Sequence, residues 1–262
     1  MPMFGMPTLL ETRTLEECVA LCKQLGLSFI ELNMNLPLYQ LSQLDPVRLQ
    51  KIAKQAGIFY TIHLDENLNV SDFNPYVADS YRRTVKETIE LAKKLQIPVL
   101  TMHLSRGVYF TLPERKVYLF DQYREEYIKS MREFRFLCEQ AIGQTGIKIG
   151  LENCDGFPAF QREAIDLLLS SPVFALTFDI GHNHSCGGLD EAFIRQNRDH
   201  LCHMHMHDAA GHRDHLALGT GELDLPFYLQ LAGEHNCRVV LETKTIAALK
   251  QSVEWLRNRH FL

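Results

Sequence analysis

Eight of the twelve histidines fall between His182 and His215, among carboxylates that close short apolar runs. Histidine is the commonest protein ligand for transition metals, and carboxylates beside it make a mixed nitrogen–oxygen site. Six apolar runs end on a ligand-type side chain: Phe59 to His63, Val99 to His103, Ile147 to Glu152, Val173 to Asp179, Leu201 to His205 and Arg238 to Glu242. Asp179 and His182 stand three residues apart, a carboxylate and an imidazole across one strand-to-loop turn. The segment from Leu201 to Asp208 alternates, so His203, His205 and His207 share one strand face. Residues two apart on a strand are separated by roughly 6–7 Å, so one ion cannot take all three. A Glu-Asp-His-Glu set is hard enough for Mn²⁺ or Mg²⁺ and also suits Zn²⁺, Co²⁺ or Fe²⁺.

To bring these residues together the chain needs elements that point them the same way. Strand-like stretches near Met3–Met6, Ser28–Leu32, Phe59–Leu64, Val99–His103, Ile147–Leu151, Val173–Phe178, Leu201–Met206 and Arg238–Leu241 alternate with helix-like segments. Leu15, Val19, Cys22 and Leu25 form one apolar helical stripe, ended by Gly26, and Val85, Ile89, Ala92 and Leu95 form another. Thr14 with Glu17 has the spacing of a capping box, and Asp45-Pro46 opens a further helix. Eight βα units without a composition break predict a single α/β domain over residues 1–262, a closed (β/α)8 TIM barrel. In such a barrel His63, His103, Glu152, Asp179, His205 and Glu242 sit at the C-terminal ends of the third to eighth strands, where catalytic groups converge. The stretch from Ser105 to Asp121, with Tyr109, Phe110, Tyr118 and Phe120, reads as an irregular loop serving as a lid or a packing flap.

The totals narrow the function classes. A hydrophobic content of 46% with 23% charge is that of a soluble domain with a filled core. A formal net charge of -5 argues against a nucleic-acid surface, and no apolar run approaches the roughly 18 residues of a membrane span. The first residues have neither a basic nor an apolar leader region, and the seven cysteines lack a C-x-x-C spacing. Both features predict reduced thiols in a cytoplasmic protein. Cys154 and Cys186 lie close to the proposed site, but no base at a recognisable spacing would activate them.

The runs Gly150-Leu151-Glu152-Asn153, Phe178-Asp179-Ile180-Gly181-His182, His205-Met206-His207-Asp208, His215 to Glu222 and Leu241-Glu242-Thr243 resemble the xylose-isomerase-like TIM barrels, over about Phe4 to Trp255. That superfamily contains sugar and sugar-phosphate isomerases and epimerases, and nucleases of the endonuclease IV type (AP endonuclease family 2). In the epimerase branch the resemblance implies that Glu152, Asp179, His205 and Glu242 hold one divalent metal (Mn, Zn, Co or Mg). Glu152 and Glu242 would be acid and base on either side of an enediolate stabilised by that metal. His182 and Arg213 would contact substrate oxygens, and Lys244, on the face of Glu242, would meet a phosphate. The nuclease branch implies a two- or three-metal phosphodiesterase with further ligands His63, His103, His182 and His215. There the chain departs from the pattern, because Arg213 stands where a carboxylate is expected and Asp214 is out of register by one. The resemblance thus implies a small carbohydrate-like substrate and is compatible with homo-oligomers. Asp208 is expected to orient His205, and Gly219-Thr220-Gly221 resembles a loop that opens a helix.

Overall fold

The alternation along the chain closes into a ring in the structure, a computed structural model that describes residues 2–262. The strands are β1 (Met3–Pro7), β2 (Phe29–Asn33), β3 (Phe59–His63), β4 (Val99–His103), β5 (Lys148–Glu152), β6 (Phe174–Asp179), β7 (Leu201–Met206) and β8 (Arg238–Leu241). Each pairs in parallel with its sequence neighbours, and β1 also pairs with β8, so the eight form a closed barrel without an edge. A helix follows every strand: α1 (Leu15–Leu25), α2 (Pro46–Ala56), α3 (Pro75–Leu95), α4 (Arg124–Ile142), α5 (Ala159–Leu169), α6 (Glu191–Gln196), α7 (Leu225–Glu234) and α8 (Ile246–Arg257).

Local chemistry explains the helix starts. Thr14 accepts the amide of Glu17, whose carboxylate returns to the amide of Arg13 at 2.8 Å. Asp45 accepts the amide of Val47 with Pro46 in the first turn. Gly26 ends α1 at φ 73°, a left-handed conformation in which glycine carries no Cβ penalty. The stripes Val19, Cys22 and Leu25 on α1 and Val85, Ile89 and Ala92 on α3 are buried against the ring of strands. Inside the ring the filling is polar: Glu31, Thr61, Thr101, Thr177 and His203 are all buried there. Glu31 and Thr61 face each other in the β2–β3 register, and Thr177 faces His203 in the β6–β7 register.

Two hairpins sit on the C-terminal side of the strands. The Ser105–Asp121 stretch is more ordered than a loop reading of it predicts. Tyr109–Thr111 pairs with Lys116–Tyr118, and a short helix, Leu119–Gln122, follows. Alternating aromatic residues drive that order. Tyr109 and Tyr118 pack with ring centroids 5.6 Å apart, and Phe120 stacks on Tyr127 at 4.5 Å. The second hairpin, Asp208–Ala210 with Arg213–Leu216, extends directly from β7. No helix among the described residues is long and apolar enough to cross a membrane.

Candidate metal centre

Glu152 ends β5, Asp179 ends β6, His205 is the penultimate residue of β7 and Glu242 follows β8 directly. Each of the four offers a ligand atom, these atoms lie within 4.8 Å of one another, and all four residues are buried. The His205 Nδ1 stands 2.8 Å from Glu242 Oε2, 3.1 Å from Glu152 Oε1 and 3.9 Å from Asp179 Oδ2. Glu242 Oε2 has no hydrogen-bond partner despite that 2.8 Å contact. The atoms therefore converge on a shared point rather than pairing off. Three buried carboxylates around one imidazole need positive charge for compensation, and the donor set fits a divalent cation. His205 holds the Glu242 and Glu152 carboxyls well below the usual carboxylate range, against a burial that works the other way.

A ring of further side chains holds these four in place. Asn153 donates Nδ2 to the Asp179 carbonyl at 2.8 Å and accepts the Asp179 amide on Oδ1 at 2.9 Å. Asp179 Oδ1 accepts the His182 amide at 2.6 Å, capping the six-residue helix Ile180–Ser185, and Oδ2 lies 3.0 Å from His207 Nε2. On the opposite side of its ring, His205 Nε2 is 2.7 Å from Glu31 Oε1. Glu31 Oε2 accepts from Thr61 Oγ1 at 3.0 Å and from His203 Nε2 at 2.9 Å. Burial would raise the Glu31 carboxyl, but His205 and His203 outweigh it and keep the group ionised. A carboxylate behind a metal-facing imidazole directs the ring and increases its basicity as a ligand.

Four more histidines surround the centre. His63 Nε2 and His103 Nε2 approach the same oxygen, Glu152 Oε2, at 3.2 and 3.0 Å. His63 Nδ1 donates to the Leu64 carbonyl at 2.7 Å, so Nε2 is the nitrogen that meets the Glu152 carboxylate. Burial disfavours charge on His63, yet the Glu152 carboxylate raises it to about 9. His182 Nδ1 lies 3.3 Å from Asp179 Oδ2 and 3.7 Å from Glu152 Oε1, and His215 Nε2 lies 3.6 Å from Glu242 Oε1. Neither of these two nitrogens has a hydrogen-bond partner. His215 Nδ1 is held by Asp214 Oδ1 at 2.8 Å, so Asp214 supports this histidine from the adjacent position. Lys244 Nζ pairs with Glu242 Oε1 at 2.9 Å, its side chain largely exposed. Arg213 is exposed on the second hairpin and forms no ion pair with the centre among the described residues.

The family profile described as xylose isomerase-like TIM barrel matches residues 19–259. The chain belongs to this family. Among solved structures, a D-tagatose 3-epimerase-like protein is similar with a TM-score of 0.78 at 22% identity, covering 98% of this chain and 96% of that one. The 3-keto-D-glucoside 4-epimerase YcjR from E. coli, apo form, is similar with a TM-score of 0.76 at 18% identity, covering 98% and 100%. The IOLI protein with a binding zinc atom is similar with a TM-score of 0.73 at 16% identity, covering 98% and 97%. At these identities the likeness is one of fold. No curated protein matches the chain by sequence.

Within this xylose isomerase-like barrel, the structure brings His63, His103, Glu152, Asp179, His182, His205, His215, Glu242 and Lys244 to one mouth and leaves Arg213 at its rim. Asp208 does not orient His205. Its carboxylate accepts the backbone amides of Ala209, Gly219, Gly221 and Leu223 at 2.9, 2.9, 2.9 and 3.2 Å. The Gly219 and Gly221 amides are thus taken by Asp208 and do not form an anion cradle. Burial pushes the Cys154 thiol well up from its ordinary value, away from thiolate chemistry. Sequence reasoning missed Glu31 and the task of His207. The signal for Glu31 was there: a single carboxylate inside the apolar run Phe29–Leu32 requires a buried partner.

Proposed function

We propose that this protein is a divalent-metal-dependent isomerase or epimerase acting on a sugar or sugar phosphate, with Glu152, Asp179, His205 and Glu242 as the metal ligands and Glu152 and Glu242 as acid and base. The observation that carries the reading is the convergence of three buried carboxylates and one imidazole nitrogen within 4.8 Å. A divalent ion supplies Lewis acidity that weakens the carbon–hydrogen bond beside a carbonyl. The two glutamates divide their oxygens between tasks. Glu152 presents Oε1 to the centre and Oε2 to His63 and His103, while Glu242 presents Oε2 to the centre and Oε1 to Lys244. The outward oxygens are the places where each residue would take and return a proton. β5 and β8 stand three strands apart in the ring, so the two glutamates approach from different sides of the mouth, as removal and return on opposite faces demands. Similar folds include a D-tagatose 3-epimerase-like protein and an L-ribulose 3-epimerase, which supports a keto-sugar substrate.

The test is turnover of ketohexoses and ketopentoses, free and phosphorylated, in deuterium oxide with Mn²⁺. The expected result is an epimer or isomer carrying deuterium on a carbon beside the carbonyl. Glu152→Gln and Glu242→Gln should each lower the rate by at least about 100-fold. Full turnover in either variant ends this reading. A second reading, phosphodiester hydrolysis with more than one metal, has one observation in its favour: His63 and His103 both direct Nε2 at Glu152 Oε2. More than one metal equivalent together with release of nitrophenol from bis-nitrophenyl phosphate would select it.

A further inference from the structure

His207, at the mouth, has both ring nitrogens engaged at short range, one of them by a backbone amide. The His215 backbone N–H points at His207 Nδ1 from 2.7 Å. An amide nitrogen can only donate, so Nδ1 must accept, and the ring's proton must sit on Nε2. The Asp208 carbonyl, 3.4 Å from the same Nδ1, is too distant to compete. The Nε2–H then donates to Asp179 Oδ2 at 3.0 Å.

Three independent features build this arrangement. His215, whose amide points at His207, adopts φ 54°, a left-handed conformation costly for a residue with a Cβ. The His215 ring lies flat on the His207 ring, with centroids 4.2 Å apart and planes 8° from parallel. On the other side, a Cβ at Gly181 would come within 2.0 Å of the His207 ring, so only glycine allows that approach. His207 itself is fully buried. His182, His207 and His215 also bring ligand-type atoms within 4.8 Å of one another. With both nitrogens of His207 already bonded, the third member of that group has no lone pair left for an ion.

We propose that His207 is a positioning residue for the metal centre: the His215 amide fixes its Nε2–H tautomer, and the resulting hydrogen bond sets the orientation of the Asp179 carboxylate. The proposal rests on the reading of Glu152, Asp179, His205 and Glu242 as metal ligands and deepens it. Asp179 Oδ1 is already committed to the His182 amide, so the hydrogen bond from His207 determines how the remaining oxygen faces the centre. In the sequence this is written as a glycine two residues after one ligand and a histidine two residues after another.

The experiment pairs a binding measurement with a spectroscopic one on the full chain. Mn²⁺ and Zn²⁺ affinities are measured by calorimetry for the unaltered protein, His207→Phe, which keeps the stacked ring, and His207→Gln, which can still accept and donate. His207→Phe should bind about 10–100-fold more weakly, and His207→Gln should recover most of that loss. In the unaltered protein, nitrogen NMR on labelled histidine should show His207 with a bare Nδ1 and a protonated Nε2, a readout that does not depend on any variant folding. Equal affinity in His207→Phe and the unaltered protein overturns the positioning role and leaves the metal centre standing. A protonated Nδ1 also overturns it. Absence of metal binding by the unaltered protein overturns the centre itself, and the positioning role with it.

Discussion

His205 has one nitrogen in each of two environments. Nδ1 faces Glu152, Asp179 and Glu242, while Nε2 faces Glu31 from 2.7 Å. Glu31 also receives His203 Nε2 and is almost wholly buried, so its removal strands two buried imidazoles. Glu31→Ala should destabilise the fold by about 3–5 kcal/mol in urea unfolding, the usual cost of breaking a buried charged pair from one side. A loss within the error of the titration would mean that Glu31 is not the counter-charge. His63 gives a pH prediction. Its folded value of about 9 lies above the ordinary 6.5, so folding favours its protonated form. That contribution is complete below about pH 6.5 and disappears as pH rises through about 9. In chelator-treated protein the thermal midpoint should therefore fall across that interval, and a flat profile would contradict the ion pair with Glu152.

At the scale of elements, the strand ends were legible and the loops were not. A short apolar run that stops on His, Asp or Glu marks both a strand and the pole at which it ends, which is why β3 to β8 and the side chains that close them could be read locally. Glu31 escaped because its partners, His203 and His205, lie on β7, far along the chain, and only the closed ring makes them neighbours. His207 escaped because its role depends on the backbone conformation of His215, which residue type does not disclose. The Ser105–Asp121 segment read as irregular because its two strands are only three residues each, too short for alternation to register. Asp208 is the clearest case of an element-scale role mistaken for a residue-scale one, since it gathers the Ala209 amide and three backbone amides of the loop before α7. Asp208→Ala should lower stability by about 1–3 kcal/mol while leaving metal affinity within a few-fold. A large loss of affinity with unchanged stability would return Asp208 to the centre.

For the whole molecule, the barrel converts a linear order of ligand-type side chains into a cluster. Eight parallel strands put every C-terminal end on one rim, and the polar interior of Glu31, Thr61, Thr101, Thr177 and His203 supports that rim from below. A cation bound only by the folded ring must stabilise it. Saturation at 1,000 times Kd corresponds to about 4 kcal/mol, so the thermal midpoint should rise with Mn²⁺ or Zn²⁺ and fall back with chelator. The most direct test of the central claim is anomalous diffraction from crystals soaked in Mn²⁺ or Zn²⁺. The expected result is a peak contacting Glu152, Asp179, His205 and Glu242 together. A peak elsewhere, or none at that position under saturating metal, would contradict it.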